Sequence, residues 1–135
     1  MARRPTHKEC SGKLRQALEA LENGSYQTID ADRHFTPDRD ELGSASAKDH
    51  WNKVHQFLGE IQANGGASCY VGSYPPYPCY HPPYVGVELF AFAWNSESAG
   101  CRMYLKFGIK LGKKSKQPTY LYLNCHEDAP EKRDR

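Results

Sequence analysis

The chain reads as an α+β protein in which two N-terminal helices pack on one face of an antiparallel sheet of three to four strands. Apolar residues recur twice at helical spacing before residue 65, and from residue 86 they alternate one in two. The links between the alternating segments are short and turn-rich. Helices followed by a run of strands argue a layered α+β arrangement, and short links argue antiparallel neighbours. At 135 residues the chain is expected to be a single domain spanning 1–135, with mobile ends at about 1–8 and 130–135.

Helix one is predicted from an N-cap at Ser11, with Leu14, Ala17, Leu18 and Leu21 at i, i+3, i+4 and i+7, to the stop signal Asn23-Gly24. Residues 25–45 keep no period and mix acidic with basic groups, so they read as a connecting loop with one turn of helix after Pro37. Ser46 caps helix two, with Asp49 three places on. Its stripe is Ala47, Trp51, Val54, Leu58 and Ile61, and it ends at Asn64-Gly65-Gly66. The stretch CYVGSY (69–74) suits a short strand, whereas PPYPCYHPPY (75–84) is too rich in proline for a central one, because proline cannot donate to the ladder. Strands are predicted over 86–95, 101–111 and 119–125.

Composition bounds the function. With 39% hydrophobic and 25% charged residues the chain is a polar globular protein rather than a disordered or membrane one. Its longest apolar run, Leu89 to Trp94, falls far short of the roughly 20 residues of a membrane span. The start MARRPTHKECSG has no apolar region behind its charges, so a cytoplasmic location without a membrane partner is expected. A net charge of +2 is too mild to prove a nucleic-acid partner by itself. Five cysteines, odd in number and without C-x-x-C, describe reduced thiols rather than a disulfide framework. Cys79, His81, Cys125 and His126 are metal-ligand types at poor spacing, so no metal site is expected.

Function is legible in the alternation of the last two strands. Odd positions (Met103, Leu105, Phe107, Ile109, Leu111, Leu121, Leu123, Cys125) are apolar and predict the face under the helices. Even positions gather Arg102, Tyr104, Lys106, Lys110, Tyr120, Tyr122, Asn124 and His126 on the other face. A turn centred near Ser115 would set Tyr104 across from His126 and Lys106 across from Asn124. On the first strand, Glu88, Phe90, Phe92 and Trp94 share parity with the polar face. Either that strand is central and covered by the Tyr/Pro loop, or Phe92 and Trp94 extend a stacking surface. Cations attract phosphates and tyrosine rings accept unstacked bases, so the face fits single-stranded RNA. Tyr120 and Tyr122 would stack bases, and the basic hairpin tip with Lys110, Lys113 and Lys114 would grip the backbone. The competing readings are a solvated sheet face and, at the tip, an acidic protein partner.

The segments MYLKF (103–107) and YLNCHEDAP (122–130) resemble the closing strands of the MqsR family of RelE-like messenger-RNA interferases, the toxins of bacterial toxin–antitoxin pairs. Tyr104, Leu105 and Lys106 match that family's Tyr-(Leu/Val)-Lys triplet. In the last segment Glu127 keeps its type, and His126 stands where the family has lysine. The resemblance implies a RelE-like fold and cleavage of messenger RNA by a ribose 2'-hydroxyl, without metal or other cofactor. It also implies a cognate antitoxin, with the ribosome as a further partner. Under it Lys106 and Arg102 would hold the phosphate, His126 would act as acid or base, and Tyr104 would donate or stack. A different reading makes the chain a non-catalytic inhibitor or adaptor that binds protein or RNA through the Tyr/Pro loop 74–84 and the same basic face.

Overall fold

The computed structural model describes residues 5–73, 75–114 and 116–129. Tyr74, the expected turn centre Ser115, and the expected mobile ends at 1–4 and 130–135 lie outside the described residues. Among the described residues, three α-helices and a four-stranded sheet form an α+β fold: α1 (His7–Glu22), β1 (Tyr26–Thr28), α2 (Phe35–Glu41), α3 (Ala47–Ala63), β2 (Leu89–Ser96), β3 (Cys101–Leu111) and β4 (Pro118–Glu127).

Helix α1 starts earlier than predicted. Thr6, not Ser11, is its cap: the Thr6 hydroxyl accepts the Glu9 N–H at 3.0 Å, so the chain is already helical at residues 7 and 8, inside the segment expected to be mobile. Thr6-x-x-Glu9 is the sequence pattern of a capping box, and it outcompetes a serine that would leave four residues uncapped. Helix α3 begins as expected, with Ser46 accepting the Asp49 N–H at 3.0 Å, while the Asp49 carboxylate accepts the Ala45 N–H at 2.9 Å. Both helices bury apolar stripes, Leu14, Ala17 and Ala20 from α1 and Val54, Leu58 and Ile61 from α3, against the sheet.

The sheet order is β1-β4-β3-β2, and β1 runs parallel to β4, so the sheet is mixed rather than antiparallel. A three-residue edge strand is too short to print a period, which is why residues 25–45 read as loop. That segment also forms α2, a seven-residue helix with Pro37 in its first turn, where the missing N–H is harmless. Of the stretch expected as a short strand, residues 69–73 form no regular strand; Gly66–Cys69 is a 3-10 turn, and Tyr70 makes a single bridge to Phe92.

One irregularity reassigns the faces. Tyr104 lies across from His126 and Lys106 across from Asn124, as the turn geometry predicts, but Phe107 pairs with Tyr122. Leu123 is therefore the extra residue of a β-bulge, and the parity of β4 inverts there. Tyr120 and Tyr122, expected on the polar face, are instead fully buried under the helices beside Phe107 and Trp51, so neither ring is open to a base. Leu121 and Leu123, expected under the helices, join Ile29, Cys79 and Leu89 in a second apolar cluster on the opposite face. Strand β2 inverts as well, because Phe92 pairs with Leu105: Phe90, Phe92 and Trp94 enter the helix-side core, leaving Ala91 and Ala93 behind.

The face away from the helices is roofed by residues 70–73 and 75–88. Val71 donates its N–H to Ala91 and packs on Ala91, Ala93 and Tyr104. Residues 77–79 and 87–89 fold on each other, with Leu89 N–H to the Tyr77 carbonyl at 2.8 Å and Cys79 N–H to the Val87 carbonyl at 2.7 Å. Gly108 permits this close approach, since a Cβ there would meet Val87 Cγ1 at 3.0 Å and the Glu88 carbonyl oxygen at 3.2 Å. Among the described residues no helix is long and apolar enough to cross a membrane.

Candidate functional site

The sheet face away from the helices holds a cavity of about 350 Å³, within the size range of small-ligand sites. Lys106 of β3 and the bulge residue Leu123 form part of it. Tyr77, Tyr80 and His81 come from the Tyr/Pro loop, and Arg33 and His34 from the turn leading into α2. Cationic, imidazole and phenolic groups from three separate parts of the chain thus converge on one concavity. Tyr77 and Tyr80 are 61% and 75% exposed, unusual for rings of that size, while His34 is 4% exposed.

The turn is held from below. Asp30 presents its carbonyl to the N–H groups of both Arg33 and His34 at 3.1 Å. One turn on, Asp38 fixes α2 to β4: its Oδ2 accepts the Tyr122 hydroxyl at 2.6 Å and the Cys125 N–H at 2.8 Å. Strand β1 is too short to pair with this part of β4, so a buried carboxylate takes the place of a ladder partner. Because the Tyr122 hydroxyl donates to Asp38, its oxygen accepts from His50 Nε2 at 2.9 Å, which leaves His50 Nδ1 to accept from Ser44 Oγ at 3.0 Å. Burial, then the nearby Lys53 and Arg39 charges, push the His50 pKa down to about 4. Burial likewise raises the Tyr122 and Cys125 values well above their ordinary range, and the thiol sits as a core residue, as its position predicts.

Of the four predicted catalytic residues, Lys106 lines the cavity. Tyr104 and His126 occupy the same face, stacked with ring centroids 5.3 Å apart, but both are buried, and His126 Nδ1 donates to the Glu127 carbonyl at 2.9 Å. Arg102 points its Nε at the Asp128 carboxylate, 2.9 Å away. Four residues of strand separate it from Lys106, roughly 13 Å. Lys110 continues the Lys106 face and places its ammonium 5.5 Å from the centre of the Tyr84 ring, while Lys113 and Lys114 are exposed at the hairpin tip.

Arg33 and His34 were invisible to periodicity, lying in a segment without one, and His81 reads in sequence as a poor metal ligand. Burial lowers the His34 pKa, Arg33 lowers it further, Asp30 opposes, and His81 and His126 add smaller lowering effects. Asn124 lies on the same sheet face without lining the cavity. It pairs with Lys106 on this face, is 1% exposed, and has neither amide atom hydrogen bonded among the described residues. Such groups are uncommon and mark functional positions or bound solvent. Among the described residues no three His, Cys, Asp or Glu side chains are grouped to hold a metal ion. No family model, curated protein or solved structure matches the chain significantly.

Proposed function

We propose that the chain is an endoribonuclease that cuts single-stranded messenger RNA through attack of a ribose 2'-hydroxyl on the adjacent phosphate, without a metal. In this reading it is the toxin of a RelE-like, MqsR-like toxin–antitoxin pair and acts in the cytoplasm. The observation that carries it is the cavity that Lys106 lines together with His34, His81 and the exposed Tyr77 and Tyr80. Phosphate charge, base stacking and proton transfer are the three demands of this reaction, and each has a side chain of the right type there. The likeness of Tyr104, Leu105 and Lys106 to the interferase triplet supports the same reading, as does the arrangement of helices over one face of the β2–β4 meander. Lys110, Lys113 and Lys114 extend a basic track that suits an RNA backbone or an acidic antitoxin.

Incubating the purified protein with end-labelled RNA in the presence of EDTA tests this directly. Cuts leaving 2',3'-cyclic phosphate ends are expected, and Lys106→Ala should slow them by about 100-fold or more with unchanged circular dichroism. Binding without any cutting would sink the reading. The high exposure of Tyr77 and Tyr80 favours a second one, a non-catalytic module that docks through the 74–84 loop. There Tyr77→Ala or Tyr80→Ala should abolish binding while Lys106→Ala leaves most of it.

A further inference from the structure

We propose that His34 and His81 divide the proton transfers of this site: His34 takes the proton of the attacking 2'-hydroxyl, and His81 protonates the leaving 5'-oxygen, with Lys106 holding the phosphate between them. This deepens the endoribonuclease reading and rests on it.

Geometry selects the pair. Both histidines line the cavity that Lys106 lines, one from the α2 turn and the other from the Tyr/Pro loop, so two separate chain segments bring an imidazole to the same concavity. His126, the histidine the sequence singles out, is buried on the same sheet face with its ring on Tyr104 and Nδ1 engaged by a carbonyl, and it does not line the cavity. The two cavity histidines also differ in setting. His34 is 4% exposed, whereas His81 is open to solvent. Arg33, His81 and His126 face His34 with positive or potentially positive charge, Lys106 stands on the same cavity, and Asp30 is the opposing carboxylate. Desolvation and these cations favour a neutral His34 at neutral pH, the form that accepts a proton. The solvent-open His81 can be reprotonated between turnovers. Asn124, buried beside Lys106 with its amide atoms unsatisfied among the described residues, offers a further donor on the same face.

The step balances without a co-reactant. The 2'-oxygen loses its proton to His34 and forms a bond to phosphorus. The bond from phosphorus to the 5'-oxygen breaks, and that oxygen takes its proton from the His81 imidazolium. A 2',3'-cyclic phosphate and a 5'-hydroxyl result, and exchange with water returns both rings to their starting states.

The test uses the full chain, an end-labelled single-stranded RNA, and the same RNA carrying a 5'-bridging sulfur at the cleaved position. His34→Gln and His81→Gln are each expected to slow cutting by about 100-fold or more, while His55→Gln, on the outer side of α3, leaves the rate unchanged. His34→Gln should also flatten the rise of the pH–rate profile on its acid side. The sulfur substrate should restore His81→Gln towards the wild-type rate but not His34→Gln, because a thiolate leaves without protonation. His34→Asn, checked by thermal melting, guards against a folding defect at the buried position. If wild type cuts and both glutamine variants cut within about threefold of it, or the sulfur substrate rescues neither, the pair is overturned while the nuclease stands. If wild type does not cut, both readings fall.

Discussion

Asn124 shows how one side chain separates stability from activity. Its amide is buried beside Lys106 with no hydrogen bond among the described residues, a state that costs about 1–3 kcal/mol. Asn124→Leu removes that penalty and is expected to leave stability unchanged or raise it by about 1 kcal/mol in urea titration. Cleavage of labelled RNA should nevertheless fall by about tenfold if the amide helps to hold substrate. A drop in stability with activity intact would assign Asn124 to the fold. At this scale Tyr104, Lys106 and His126 were legible because two neighbouring strands present them with a fixed period. Arg33, His34 and His81 were not, since they reach the cavity from irregular segments separated by about a third of the chain.

Elements carry the site through two devices. The first is the bulge at Leu123, which sends Tyr120 and Tyr122 into the core and still returns Asn124 and His126 to the face of Lys106. The second is the roof over Gly108. A methyl group there would press on Val87 and the Glu88 carbonyl, so Gly108→Ala should lower the unfolding free energy read by urea titration by about 1–2 kcal/mol and disturb the cavity through Leu89. On the other side of the sheet Glu60 of α3 clamps the β2–β3 turn. Its Oε1 accepts Trp94 Nε1 at 2.9 Å and Ser96 Oγ at 2.7 Å, and its Oε2 accepts the Ser98 N–H at 3.0 Å. Partial burial alone would raise the Glu60 pKa, but hydrogen bonds from Ser96, Trp94 and Ser98 outweigh it and hold the value below the usual carboxylate range. Glu60→Ala is expected to cost about 2–3 kcal/mol of stability, read as a lower melting temperature, without affecting RNA chemistry on the far face.

For the whole molecule, acid is the sensitive variable. His50 is neutral in the fold, with a pKa near 4 against 6.5 for the free side chain, so the unfolded chain binds more protons between those values. Its contribution is fully present above about pH 6.5 and is lost as pH falls towards 4. The interval corresponds to about 3 kcal/mol, a large fraction of a typical domain's stability. Protonation at Nδ1 would also remove the acceptor of the Ser44 hydroxyl and loosen the chain through Tyr122 to Asp38, which anchors α2 and hence His34. Guanidinium titrations at pH 7.5 and pH 5 should therefore show a marked loss for wild type and a smaller one for His50→Gln. Equal losses would place the acid sensitivity elsewhere.

Local signals in the sequence determined the two long helices, the three-strand meander and the pairing of Tyr104 with His126, because caps, periods and turns act over a few neighbouring residues. The tertiary structure alone decided the parallel edge strand, the inversion of β4 at Leu123, and the meeting of His34, His81 and Lys106. A bulge changes which face a residue occupies without changing its local preference for strand. A cavity assembled from distant loops reflects long-range packing that no short window of sequence contains.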